Sequence, residues 1–209
     1  MKGKMMEDNL QKSYTGIYVF EGIDNVGKST IVQNLKTKIC ETTDYDCINI
    51  AFPGNEPRTL GSLVYDIHHH NNKYFDMSIN DASLQLMHVA SHIDLIQRKL
   101  VGECSSSSII LMDRFWWSTY AYGLAGELEK DVIHSIIAPE LIYWEKINIK
   151  KIFLLERENR AKEYETKKDE AIIQNYRELA KGNPKCRIVS NNCSLEETVT
   201  KIYDSILGG

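Results

Sequence analysis

Gly22, Gly27, Lys28 and Ser29 satisfy G-x-x-x-x-G-K-[ST] within Gly22-Ile-Asp-Asn-Val-Gly-Lys-Ser-Thr30. That spacing builds a phosphate-binding P-loop, in which backbone N–H groups and a helix N-terminus surround a polyphosphate. The two glycines permit backbone angles and close approach that a Cβ would hinder. Lys28 brings a mobile positive charge to the β- and γ-phosphates, and the Ser29 hydroxyl can ligate Mg²⁺. Asn25, Val26 and Thr30 complete the set expected around the polyphosphate. A second signal is Asp113-Arg114, delivered by the apolar run Ile109-Ile-Leu-Met112. An acid after a core strand can hold the Mg²⁺ shell, and the arginine can grip phosphate bidentately. Arg58 is the only Arg or Lys between Lys38 and Lys73, which makes it a candidate for a substrate phosphate.

Other side chains carry less decided signals. His88 and His92 lie one turn apart, but His-Val-Ala-Ser-His lacks the glutamate of H-E-x-x-H. They read either as ligand-facing or as ordinary partly buried histidines. His68-His69-His70 reads as an exposed helix end. Trp116, Trp117, Tyr120 and Tyr122 suit the wall of a base pocket or plain packing. The charged stretch from Glu156 to Asp169 holds Arg157 and Arg160, three apart and so on one face of a helix. It is either a solvated helix or a lid that closes over the triphosphate and brings an arginine to the transferring group.

These groups need a scaffold, and the hydrophobic pattern supplies one. Ile17 to Phe20 reads as a buried strand, followed by a helix from Lys28 to about Glu41 with Ile31, Leu35 and Ile39 inward. Cys47 to Phe52 is a second strand, and strand–helix–strand implies parallel pairing with ligands beyond the carboxyl ends. A helix over Leu60–His70 should bury Leu60, Leu63, Val64 and Ile67. The next, capped by Asp81 and running to about Gly102, should bury Leu86, Val89, Ala90, Ile93, Ile96 and Leu100. Ser105–Ser108 reads as a turn and Ile109–Met112 as a strand; Phe115–Leu128 reads as a helix, and Val132–Lys146 as connecting structure. Strand Ile152–Leu155, helix Asp169–Lys181, strand Arg187–Ser190 and a helix from Ser194, opened by the capping box Ser194-Leu-Glu-Glu197, complete the pattern. The fold class expected is α/β: a P-loop NTPase three-layer α/β/α sandwich with a five-stranded parallel sheet and a helical lid over about 156–169. A polar leader, 1–15, precedes a single domain, 16–209.

Bulk properties narrow the function. At 209 residues and 43% hydrophobic content the chain can bury one good core. A net charge of −4 gives no global attraction to nucleic acid, and no apolar run approaches the ~18 residues of a membrane span. Five scattered cysteines without a C-x-x-C pair fit reduced thiols in an intracellular, cytoplasmic setting.

On these residues the chain resembles the thymidylate kinase family of P-loop nucleoside monophosphate kinases. The resemblance is carried by Phe20-Glu-Gly-Ile-Asp-Asn-Val-Gly-Lys-Ser-Thr30, Phe52-Pro-Gly with Leu60-Gly61, Asp113-Arg-Phe-x-x-Ser-x-x-Ala-Tyr122 and Tyr176-Arg-Glu-Leu-Ala180. It implies an enzyme using ATP and Mg²⁺ to phosphorylate a pyrimidine nucleoside monophosphate, with dTMP the family's acceptor and a homodimer the frequent assembly. It places Asp24 between the two nucleotides, Lys28 on the ATP phosphates, and Arg114 with Arg58 on the acceptor phosphate. Ser118 and Tyr122 fall on the substrate side, and Ser29 and Asp113 on the metal. The sequence departs from the family where a Phe stacks on thymine and an Arg reads its carbonyl edge; those positions are His88 and His92. Gly123 replaces a usual Gln, and Asn25 leaves the P-loop without an arginine, which assigns that role to Arg157 or Arg160. The UMP/CMP-type branch is an alternative acceptor class, and a nucleotide-binding relative without turnover is an alternative of another kind. A deoxynucleoside kinase fits less well with Arg114 and Arg58 as a phosphate grip. A GTP switch lacks its N-K-x-D signature, since Asn72-Lys73-Tyr74-Phe75 has no acid.

Overall fold

A computed structural model describes residues 15–54, 56–100, 108–158 and 166–208. Five strands, β1 (Gly16–Glu21), β2 (Asp46–Ala51), β3 (Ser108–Asp113), β4 (Ile149–Glu156) and β5 (Cys186–Ser190), form one sheet in the order β2-β3-β1-β4-β5. Every pairing is parallel. A parallel sheet needs helical crossovers that cover both faces, so its central strands are apolar on both sides. Val19, Phe20, Ile109, Leu111 and Met112 accordingly have no solvent exposure. The flanking helices are α1 (Lys28–Thr42), α2 (Leu60–His69), α3 (Asp81–Leu95), α4 (Trp116–Ala125), α5 (Lys130–Trp144), α6 (Lys167–Ala180) and α7 (Leu195–Leu207). The order confirms the expected three-layer α/β/α architecture. No helix among the described residues is long and apolar enough to cross a membrane.

Several local expectations need correction. α3 ends at Leu95 and continues as a single π-helical turn, Ile96–Leu100. Its cap is Asn80, whose side chain accepts from the Ser83 N–H, and Asp81 occupies the first helical position instead. The buried face of α3 carries Gln85, Val89, Ser91 and His92, whereas Leu86 is 52% exposed and Ala90 is exposed. An apolar-stripe argument fails there because that face walls a polar cleft. On α2, Val64 and Ile67 are buried but Leu60 and Leu63 lie outside, since Gly61 is the residue pressed against the Pro53 loop. The segment expected to connect is the 15-residue helix α5. It continues through Pro139 and turns Ile133, Ile136, Ile137, Glu140 and Trp144 inward. In the charged stretch, Glu156 closes β4, Arg157 and Glu158 are exposed beyond it, and Lys167 opens α6; residues 159–165, with Arg160, lie outside the described residues.

Gly123 is explained by packing. α4 crosses α5 so closely that a Cβ on Gly123 would sit 2.6 Å from Ile133 Cδ1. A Gln there must force the two helices apart or displace Ile133, an overpacking that costs about 1–3 kcal/mol. Gly123→Gln should therefore lower the thermal unfolding midpoint; an unchanged midpoint would mean that the crossing has slack.

Candidate active site

The carboxyl ends of β1, β2 and β3 open into a cleft of about 820 Å³, walled by the P-loop, the Pro53 loop and helices α2, α3 and α4. At one end lies the phosphate loop. Gly27 adopts φ 97°, which directs the chain into α1, and α1 has no side-chain cap and no acid in its first turn. Its first N–H groups are left for an anion. Gly22, at φ 140°, passes so close to β4 that a Cβ would meet the Leu155 carbonyl at 2.5 Å. Asn191, just past β5, donates to the Val26 carbonyl at 2.7 Å and pins the loop from behind. The Val26 side chain itself is fully buried in the core, and Val26 is not part of the cleft wall. Asn25, Gly27, Lys28, Ser29 and Thr30 all line the cleft.

Lys28 is almost fully buried, with Nζ donating to the Gly22 and Ile23 carbonyls at 2.8 Å each. Burial and the nearby Arg114 guanidinium push its ammonium down to about 8, against the pull of Asp113, Asp24 and Glu21. A triphosphate would supply the missing counter-charge and favour the protonated form. Ser29 Oγ donates to Asp113 Oδ2 at 2.7 Å, while Asp113 Oδ1 is buried without a partner. That orphaned oxygen beside a hydroxyl fits the shell of a hydrated Mg²⁺. Among the described residues no three His, Cys, Asp or Glu side chains converge to hold a metal, so the remaining ligands would be phosphate oxygens and water.

Arg114 lies beside the P-loop in the same cleft, its Nη1 donating at 3.4 Å to the Gly22 carbonyl that also accepts from Lys28. Its backbone lies at φ 73°, held by its N–H donating to the Phe20 carbonyl at 2.9 Å. The guanidinium donates to Ser118 Oγ at 2.8 Å and to the Tyr176 hydroxyl at 3.3 Å, and pairs with Asp24. The Tyr122 hydroxyl donates to Asp24 Oδ2 at 2.8 Å. Burial works against ionisation of Asp24, but Arg114, Tyr122 and Lys28 outweigh it and hold the carboxyl below its usual range. Behind this group sits Glu21, fully buried at the end of β1. It accepts from the Phe115 and Ser118 N–H groups, Ser118 Oγ and the Tyr176 hydroxyl. Sequence reasoning assigned Glu21 no role; its position between an apolar strand and the P-loop was the available signal.

The far end of the cleft is lined by histidines. His88 Nε2 lies 3.1 Å from His68 Nδ1, and His92 Nδ1 lies 3.1 Å from Glu140 Oε2. Both His88 and His92 therefore reach the cleft, joined by His68, Gln85 and Lys168, which sequence reasoning passed over as site residues. Arg58 lies exposed on the preceding turn at φ 67° and is not part of the cleft wall. Arg157 lines a separate hollow of about 580 Å³ with Gly22, Glu156 and Arg177.

A family model for thymidylate kinase matches residues 20–202. Thymidylate kinase of Chlorobium phaeobacteroides is 25% identical over 125 residues, 58% of this chain and 53% of that protein. The chain thus spans about half the length of that relative. The enzyme of Legionella pneumophila strain Paris is 26% identical over 93% of this chain and 95% of its own. Among solved structures, thymidylate kinase from Ehrlichia chaffeensis superimposes with a TM-score of 0.72 at 17% identity, covering 92% of this chain and 98% of that one. The Candida albicans thymidylate kinase gives 0.68 at 20% identity, over 92% and 91%.

The histidine end has a measurable signature. Burial, then the neighbouring His92, His68, Arg114 and His69, push the His88 imidazole from 6.5 down to about 3. Between those values the unfolded chain binds a proton that the folded chain refuses, so this contribution to stability falls as pH falls. The thermal midpoint should drop from pH 7 to pH 4.5, and more gently in His88→Phe, which keeps a ring but cannot titrate. Parallel curves for the two proteins would show that His88 is not the group responsible.

Proposed function

Since the chain belongs to the thymidylate kinase family, we propose that it transfers the γ-phosphoryl group of ATP directly to a pyrimidine (deoxy)nucleoside monophosphate, with dTMP to dTDP as the leading reaction. One observation carries this reading. A single cleft presents two neighbouring anion-binding groups, the open N-terminus of α1 with Lys28 and the Arg114 guanidinium, with Lys28 and Arg114 both donating to the Gly22 carbonyl. Two phosphorylated ligands meeting end to end would fill both.

Little covalent chemistry is asked of the protein in such a transfer; positioning and charge supply the catalysis. The α1 N–H groups and Lys28 hold the donor phosphates and take up charge as it moves toward the β–γ bridge. Arg114, oriented by Ser118 and Tyr176, holds the acceptor phosphate in line. Asp24, kept ionised by Arg114 and Tyr122, stands between the two ligands and orients the acceptor or a water. Ser29 and Asp113 would hold Mg²⁺, which when bound neutralises phosphate charge. Histidines in place of a stacking Phe and a reading Arg favour testing other pyrimidine monophosphates beside dTMP. The Candida albicans structure is itself described in terms of broad substrate specificity. Cytoplasmic residence and a homodimer accompany this reading.

The test is ADP release from Mg²⁺–ATP with dTMP, dUMP, UMP, CMP, dCMP, AMP and GMP, and thymidine as the unphosphorylated control. Turnover of a pyrimidine monophosphate is expected, with none of thymidine. Lys28→Ala should lower kcat by roughly 10²–10³-fold, the scale of losing one preorganised electrostatic contact. ATP binding without turnover of any acceptor would leave a nucleotide-binding protein and end the kinase reading.

A further inference from the structure

The phosphate loop is held at one peptide, Val26–Gly27, by a residue that lies far off in the chain. Gly27 sits at φ 97°, and its N–H has no hydrogen-bond partner among the described residues. The carbonyl on the other side of that peptide, of Val26, accepts from Asn191 Nδ2 at 2.7 Å. The peptide is trans, so its C=O and N–H share a plane and point in opposite directions. Holding the Val26 carbonyl toward Asn191 therefore turns the Gly27 N–H away from Asn191. Gly27 lines the cleft, whereas Val26 and Asn191 are not in its wall. The unpartnered N–H is thus aimed at the side where a polyphosphate would lie.

Asn191 is itself fixed from several directions. Its backbone N–H donates to the Glu156 carbonyl at the end of β4, at 2.7 Å. Its Oδ1 accepts at 3.1 Å from the hydroxyl of Thr198, a fully buried residue of α7. The sense of the amide follows from its partners. A carbonyl can only accept, so the NH₂ must face Val26, and the oxygen is left to Thr198. The fit is close: a Cβ on Gly27 would stand 2.7 Å from Asn191 Nδ2.

Without that hold the peptide could turn over, because the glycine that follows it accepts φ of either sign. A turned peptide would present a carbonyl oxygen to the phosphates in place of an N–H. We propose that Asn191 is a positioning residue for the phosphoryl donor, locking the Val26–Gly27 peptide so that the Gly27 N–H faces the donor phosphates before they bind. Asn191 touches no ligand and acts through the Val26 carbonyl, with Thr198 holding the amide in its working sense. A donor set in place beforehand needs no rearrangement when the anion arrives, and the gain appears as affinity. The inference rests on the loop's being the site of the ATP phosphates.

The experiment measures the affinity of the protein for Mg²⁺–ATP and for Mg²⁺–tripolyphosphate, and KM for ATP and for whichever acceptor is turned over. Asn191→Leu keeps the branched outline of the side chain and offers no donor. It should weaken ATP and tripolyphosphate alike by about five- to tenfold, the scale of one lost hydrogen bond, and leave the acceptor KM within about twofold. Thr198→Val should shift both ligands the same way by about two- to threefold, and Thr198→Ser, which keeps the hydroxyl, should restore them. A merely structural role would lower the thermal midpoint without separating the donor from the acceptor. Unchanged affinities in a folded Asn191→Leu, or a loss for ATP that tripolyphosphate does not share, overturns the inference and leaves the kinase reading intact. Should Asn191→Leu fail to fold, unchanged affinities in Thr198→Val overturn it instead. A wild-type protein that binds neither ATP nor tripolyphosphate ends the kinase reading and this inference with it.

Discussion

A carboxylate shut away from water keeps its place only if it is given donors, and the way Glu21 obtains them organises the site. Two come from the backbone at the start of α4, one from Ser118 and one from Tyr176 of α6. Helix α4 has no side-chain cap of its own, and Glu21 fills that role from the end of β1. The same hydrogen bonds tie β1, α4 and α6 together around the Arg114 guanidinium, which donates into the set through Ser118 and Tyr176. Burial raises the Glu21 carboxyl above its usual range, and Arg114, Phe115 N–H and Ser118 offset this only in part. Arg114 is thus positioned by a residue that no ligand would touch.

Two of the helix starts beside the cleft are treated in opposite ways. α4 is capped by an internal carboxylate, so its positive end is spent within the protein. α1 is left open, with Gly27 at its head and Lys28 folded back onto the loop carbonyls. An incoming polyphosphate therefore finds one free helix end, beside Ser29 and the unpartnered Asp113 oxygen. The histidine end is arranged by different means, with imidazoles and an amide from α2 and α3 and the Glu140 side chain reaching in from α5.

The chemistry at the phosphate end was legible because short-range spacing determines it: Gly22 to Ser29 and Asp113-Arg114 each lie within one strand-to-helix turn. The sheet was legible too, since a strand covered on both faces must read as an apolar run, as Ile109 to Met112 does. What escaped depends on partners distant in sequence. Glu21 meets Tyr176 across 155 positions and His92 meets Glu140 across 48. Nothing local marks Glu140, and the position of Glu21 before the P-loop does not name its partners. The exposed Leu86 and Ala90 mislead for a related reason: α3 turns Gln85 and His92 inward, so its buried face is polar and the apolar stripe points elsewhere. Helix α5 also escaped, although Ile133, Ile136, Ile137, Glu140 and Trp144 keep a helical period.

The pairing of Arg114 with Asp24 bears on which molecules can compete for the cleft. Before any acceptor arrives the guanidinium already has an anion beside it, steadied by the Tyr122 hydroxyl. A newcomer must draw Arg114 away from that carboxylate, and only a group with comparable or greater charge gains enough from the exchange. A dianionic monophosphate does; an uncharged nucleoside, however well its base fits, would have to part an ion pair and offer nothing in return. On the proposed reading Asp24 would act as an internal rival to the acceptor, a threshold that sorts ligands by charge before shape is considered.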